Sequence, residues 1–392
     1  MEKITPTYIS DLFLGRLEER DYKFSRKIYW HLSSLTFDLR SAISNEKFLQ
    51  DFKYNDAFFV FDHSNDPLTQ DAFLTFGKPL LDLFNQNNIS TDRIIVLSPL
   101  PSQFFYKSYN EPNYVKVAPY SVREKTYFHI YHNNLWYNLQ KDYLSKIGKW
   151  GNTATLSFSI PKKPEKYFLS LSRRDSLSRR FLNYLMHKEG LFDLGIVSHQ
   201  RLEENGVHKT QDEYLLEIKQ LAVRSDFETD KFLEYGYKKH SLEPPLKKST
   251  SAYSLSLHQD LSTKVCFEIV SETDINDSLF MTEKTLKPIL NKSPFLLNGS
   301  YLTLQQFKKL GFQTYDLLFD ESYDREPIFY DRIIGMFENV KKLCNMSLED
   351  CYKKLGVVKE VCDYNYNHFL SHDWEFNVGK KIQNRIDEVL GV

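Results

Sequence analysis

The sequence predicts an α/β protein of two domains, each a parallel sheet covered by helices, facing across a cleft and followed by C-terminal helices. Three observations predict it. The chain has 392 residues, more than one ordinary core accommodates. Short apolar runs alternate with stretches of helical periodicity in both halves, which is the pattern of βαβ units. Between the halves, residues 149–166 (KWGNTATLSFSIPKKPEK) gather Gly151, Pro161, Pro164 and several lysines, and the strand–helix pattern restarts beyond them.

In the first half, residues 57–62 (AFFVFD) read as a buried strand that runs through a polar turn into Pro67. Phe73, Phe76, Leu80, Leu81 and Phe84 then recur at helical spacing. Residues 93–98 (RIIVLS) form the next strand, stopped by Pro99 and Pro101. In the second half, 167–171 (YFLSL) is a strand, 178–187 a helix and 193–198 (DLGIVS) a second strand. The charged stretch 211–250, with Pro244 and Pro245, reads as a helix or two and a surface loop. A further strand at 263–270 (TKVCFEIV), a helix from 282 to 291 and a strand at 294–297 (PFLL) follow. Ser347 and Asp350 fit a capping box, and Val378, Ile382, Ile386 and Val389 form an apolar helical stripe. Two such units make a pair of Rossmann-like domains. The expected boundaries are 1–155 for an acceptor-side domain and 160–355 for a donor-binding domain, with 356–392 as C-terminal helices packing back on the first.

Composition narrows the function. A net charge of -1 leaves no global attraction to nucleic acid or membrane. No run approaches the roughly 18–20 apolar residues that cross a bilayer, and charges interrupt residues 1–16. A cytoplasmic protein is expected. Cys266, Cys344, Cys351 and Cys362 show no C-x-x-C or zinc spacing and read as reduced, buried apolar residues. Neither G-x-G-x-x-G nor G-x-x-x-x-G-K-[ST] occurs, which counts against dinucleotide and P-loop sites.

Residues 265–299 (VCFEIVSETDINDSLFMTEKTLKPILNKSPFLLNG) carry the chemistry. A strand ends in Phe267-Glu268, a polar loop follows, and Thr282-Glu283-Lys284 opens a helix before the next strand. Unpaired N–H groups and the positive dipole end of a helix suit a diphosphate. Lys284 adds a full charge, and a carboxylate beside it can accept hydrogen bonds from ribose hydroxyls. Charge placed in advance at a leaving group stabilises a transfer transition state without a metal. A second cluster, 166–180 (KYFLSLSRRDSLSRR), runs a strand into Arg173 and Arg174, whose guanidinium groups clamp phosphate in two-pronged fashion. Arg179 and Arg180 are expected to face solvent.

The 265–299 stretch resembles the donor-binding motif of the α1,3/1,4-fucosyltransferases and of related viral and bacterial glycosyltransferases. There a strand bearing Phe-Glu-Asn is followed by Tyr-Val-Thr-Glu-Lys at a helix start and by a Val-Pro-Val-Val strand. Here stand Phe267-Glu268-Ile269, then Phe280-Met281-Thr282-Glu283-Lys284, then Ser293-Pro294-Phe295-Leu296. The resemblance implies a GT-B fold and a nucleotide-sugar donor held at Thr282, Glu283 and Lys284, Glu283 on the ribose and Lys284 on the phosphate. It places Glu268 at the strand end near the nucleotide or sugar, and Arg173 or Arg174 as the phosphate-binding arginine. Two departures stand out: Ile269 replaces the asparagine, and Pro288 is expected to kink or shorten the helix.

Transfer to a hydroxyl needs a base for the acceptor proton. Asp62, His63 and Asp66, at the end of the 57–62 strand, are the candidates, with His129 and His132 behind them. Asp320, Glu321 and Asp324 either touch acceptor hydroxyls or solvate a loop. His368 and His372 stand four apart without the Glu of H-E-x-x-H, and no D-x-D triplet lies near a strand end, so no metal and no cofactor are expected. The acceptor is a glycan or another hydroxyl-bearing molecule, with modified bases in DNA as one alternative. A GT-B-like scaffold that binds without turnover is the other.

Overall fold

The computed structural model describes residues 30–33, 59–62, 78–90, 93–98, 129–132, 164–172, 176–199, 258–272 and 281–371, with a few isolated positions besides. The chain divides into two compact units: Met1–Leu139 with His372–Val392, and Gln140–Ser371.

The first unit holds strands β1 (Trp30–Ser33), β2 (Phe59–Asp62), β3 (Ile94–Ser98) and β4 (His129–His132), with helix α1 (Lys78–Gln86) between β2 and β3. All pairs are parallel, and the strands lie side by side in chain order. In register, Ser33 stands against Asp62 and Asp62 against Leu97, so Asp62 closes β2 at the carboxyl edge of the sheet. Helix α1 ends where Asn88 turns left-handed at φ 56° and the Ile89 N–H reaches back to Phe84 O at 2.9 Å, a Schellman-type stop. Among the described strands the order never reverses, so this sheet shows no switch point.

The second unit is built differently. Strands β5 (Lys166–Ser172), β6 (Gly195–His199), β7 (Val265–Ser271) and β8 (Phe295–Asn298) pair in the order β6-β5-β7-β8, all parallel. The chain leaves β5 through helix α2 (Leu177–Lys188) toward β6 on one side, and leaves β7 through helix α4 (Glu283–Leu290) toward β8 on the other. Crossovers of one hand leaving in opposite directions place α2 and α4 on opposite faces of the sheet. Every residue of β7 and β8 is buried, as expected of strands covered on both sides.

Side-chain alternation sorts the core. Phe168 and Phe267 lie on one face with ring centroids 6.0 Å apart, and Phe267 meets Phe319 at 5.8 Å. Gly195, which opens β6, has the Phe168 ring against it: an added Cβ would stand 2.2 Å from a ring carbon. Beyond β8 come helices α5 (Thr303–Lys309), α6 (Phe329–Cys344), α7 (Leu348–Lys354) and α8 (Lys359–Ser371). Helix α6 packs on α2, with Phe181 edge-on to Tyr330 at 5.4 Å. Helix α8 packs on α4 and is pinned by a reciprocal pair, Gln313 N–H to Asn365 Oδ1 and Asn365 Nδ2–H to Gln313 O, each 2.8 Å. Ser347 caps α7 by accepting from Asp350 N at 3.1 Å, as its spacing predicts.

Several sequence expectations fall partly or wholly outside the described residues, including the 211–250 stretch and the Val378–Val389 stripe. Of the proposed linker only 164–166 is described, where the N–H groups of Glu165 and Lys166 both donate to Lys264 O. All four cysteines are free and buried.

Candidate functional site

The order β6-β5-β7-β8 reverses direction between β5 and β7, and ligands in open α/β sheets bind outside the carboxyl ends of the strands at such a point. Two helix starts stand there. Helix α2 opens with Ser176 at its N-cap, its hydroxyl accepting from Arg179 N at 3.5 Å and lying 3.1 Å from Ser178 Oγ. No acid sits in its first turn. Helix α4 opens with Thr282, whose hydroxyl accepts from Lys284 N at 3.3 Å and from Lys284 Nζ at 3.1 Å.

A carboxylate already occupies the α4 start. Glu272, the first residue beyond β7, is fully buried and accepts three hydrogen bonds: from Thr282 N at 2.9 Å, Thr282 Oγ1 at 2.6 Å and Thr285 Oγ1 at 2.5 Å. A buried carboxylate is tolerable only with such donors, and the helix dipole favours it at this end. The unpaired N–H groups that the sequence offered a diphosphate at this tip are therefore largely spoken for. Thr282 N goes to Glu272, Lys284 N to Thr282 Oγ1, and Thr285 N to Thr282 O.

Glu268, expected at the strand end, stands in the middle of β7 instead. Its Oε1 accepts from Ser262 Oγ at 2.7 Å and, at 3.4 Å, from Asn291 Nδ2, the residue that ends α4. Ser262 closes helix α3 (Gln259–Ser262), immediately before β7. Burial pushes the Glu268 carboxyl above its usual range against these hydrogen bonds. The carboxylate at the strand's end is Glu272. Sequence reasoning passed over it, although the 263–270 strand bounds leave Glu272 as the first acid past the apolar run.

Arg179 and Arg180 do not face solvent. Both are buried, and Arg179 Nη2 donates to Ser271 O at 2.8 Å and Glu272 O at 3.2 Å. Arg179 thus ties the start of α2 to the end of β7. Asn298, at the end of β8, donates through Nδ2 to Ser271 Oγ at 3.2 Å. The carboxyl ends of β7 and β8 and the starts of α2 and α4 form one connected polar layer.

Lys284 and Thr282 stand at the switch point. Glu283 is the first residue of α4, but its side chain lies outside the described residues, as do Arg173, Arg174, His63 and Asp66. Asp62 ends β2 in the first unit. The acidic cluster is structural: Asp324 accepts from Leu304 N at 2.9 Å and Gln305 N at 3.2 Å and so caps α5. Glu321 accepts from Thr314 Oγ1 and Tyr315 N at 2.8 and 2.9 Å, and Asp320 from Ser322 N at 3.0 Å. His368 lies 2.8 Å from Leu310 O with its ring edge-on to Phe312, and His372 lies outside the described residues. Pro288 sits inside α4, which ends two residues later at Leu290. Among the described residues no group of three or more His, Cys, Asp or Glu could hold a metal ion, and no helix is long and apolar enough to cross a membrane. The chain matches no family model, no curated protein and no solved structure.

Proposed function

We propose that this chain transfers a sugar from a nucleotide-diphosphate donor to a hydroxyl acceptor, with the donor at the carboxyl ends of β5 and β7. One observation carries the reading: the only order reversal among the described strands brings two helix starts and Lys284 to the same sheet edge. Glu272 repels a diphosphate from the α4 tip itself. The phosphates therefore belong on the α2 side, where the first turn carries no acid and Arg173 and Arg174 precede the helix. Lys284 neutralises them from the α4 side. In the reaction an acceptor oxygen bonds to the anomeric carbon, and the bond from that carbon to the β-phosphate oxygen breaks. The acceptor proton passes to a general base. Cationic side chains, not a metal, offset the charge that develops on the nucleoside diphosphate.

Melting curves with UDP, GDP, CMP and ADP test this. A ligand that binds only the folded state at about a hundred times its Kd stabilises it by roughly 2.7 kcal/mol. At least one nucleoside diphosphate should raise the melting temperature, and Lys284→Ala should shrink that rise with the ligand-free melt unchanged. No shift with any of them sinks the reading. A second reading, a binding scaffold without turnover, draws support from the self-satisfied α4 start. Donor hydrolysis, even without acceptor, excludes it.

A further inference from the structure

We infer that Glu272 is a positioning residue of the donor site, holding Lys284 in place by way of Thr282; this rests on the donor reading above. The chain of contacts is short. Glu272 takes the Thr282 N–H and hydroxyl proton at 2.9 and 2.6 Å. The same hydroxyl oxygen accepts from Lys284 N and Nζ. With its proton committed to Glu272, the Thr282 oxygen presents lone pairs to the lysine and nothing else. A hydroxyl without that carboxylate is free to rotate, and Lys284 loses a fixed acceptor for both its backbone and its side chain.

The carboxylate is itself fixed from two directions. Thr285, one turn on, donates to Glu272 Oε1 at 2.5 Å. From the other helix, Arg179 Nη2 holds the Glu272 carbonyl at 3.2 Å. Glu272, Thr282, Thr285 and Arg179 are all at least nine-tenths buried, so this frame does not face the ligand. Lys284 alone in the set is partly exposed. The geometry separates a buried scaffold from the one cation it presents.

The test is a double-mutant cycle read as nucleoside-diphosphate affinity by calorimetry. In the wild-type background, Glu272→Ala and Thr282→Val each weaken binding about tenfold, the size expected when a hydrogen bond to a charged group is lost. Thr282→Ser, which keeps the hydroxyl, restores it. In a Lys284→Ala background neither Glu272→Ala nor Thr282→Val has a further effect, because residues acting through one another are not additive. Full additivity overturns the inference, since it would mean that Glu272 acts on the fold or the ligand without Lys284. Should the wild type bind no nucleoside diphosphate, the donor reading fails, and amide exchange decides the positioning separately. Protection of the Lys284 N–H should fall in Glu272→Ala relative to wild type, and unchanged protection refutes the link.

Discussion

Glu268 and Glu272 lie four residues apart, one in the middle of β7 and one just past its end, and they hold opposite ends of the same helix. Glu268 meets Asn291 where α4 stops; Glu272 meets Thr282 where α4 starts. The backbone explains the symmetry. Side chains an even number apart on a strand share a face, and α4 runs back over that face between them. The electrostatics are opposite. A carboxylate at a helix start meets the positive end of the dipole, and one at its finish meets the negative end. Glu272 has three donors and sits at the carboxyl edge of the sheet, whereas Glu268 lies inside the strand, where burial pushes its carboxyl above the usual range. The same residue type thus caps a helix start just past the strand and is a core polar group in the middle of it.

Removing the Glu272 side chain should have the largest effect on stability. Glu272→Ala leaves a backbone N–H and two threonine hydroxyls without their acceptor in a buried place, a loss of about 3 kcal/mol. Urea unfolding of the two proteins measures it. A change under about 0.5 kcal/mol would mean that water replaces the carboxylate there, and the contrast with Glu268 would dissolve.

Arg179→Met comes next. Methionine keeps much of the stem and loses the bonds to Ser271 O and Glu272 O, so about 2 kcal/mol should go. Helix α2 should become easier to open, visible as faster amide exchange in its first turn. Were the loss instead spread evenly over α6 and α8, the arginine would be a general core residue and not a tie at the carboxyl edge.

How much of this was legible beforehand differs between the two ends. The strands at 59–62, 94–98, 166–172 and 265–271 and the helix from Glu283 follow the apolar runs to within a residue or two, because apolar periodicity alone sets them. Thr282-Glu283-Lys284 as a helix start was equally legible, since capping chemistry is local. What resisted was everything that depends on strand order. Nothing in the runs says that β5 lies between β6 and β7, or that the first unit keeps its described strands in sequence. Glu268 drew attention through its neighbour Phe267, although a position inside a seven-residue strand places it away from the edge. Arg179 and Arg180 looked solvated because arginine usually is. The carbonyls that accept from Arg179 come from residues some ninety positions away.

A smaller effect, and one whose sign depends on pH, belongs to Glu268→Gln. Glutamine keeps an acceptor for Ser262 and Asn291 and cannot ionise. The folded-state pKa of Glu268 is raised from 4.5, so the carboxyl favours the fold below about that pH and loses this advantage as pH rises through the folded value. The variant should match the wild type near pH 4 and gain on it as pH rises. Nucleotide affinity should stay within about twofold, as the residue is three positions inside the strand end. A marked loss of affinity would move Glu268 back to the ligand and break the contrast from the other side.

The smallest effect concerns His258, which opens the turn before α3 and so belongs to the Glu268 end. Burial first, and then the nearby Lys287 charge, lower its pKa from 6.5 to about 4. The sign here is the reverse of that for Glu268: the neutral imidazole favours the fold above pH 6.5, and that contribution is lost as pH falls toward 4. Asparagine is the apt replacement because His258 has φ 49°, a left-handed conformation that asparagine adopts readily. The stability gap between the wild type and His258→Asn should be flat above pH 6.5 and narrow steadily below it. The two groups act on the profile with opposite signs, so the pair of variants separates the acid limb that His258 carries from the loss that Glu268 brings as pH rises. A gap that stays constant from pH 7 to 4 would show His258 to be solvated and would leave the whole acid limb to other groups.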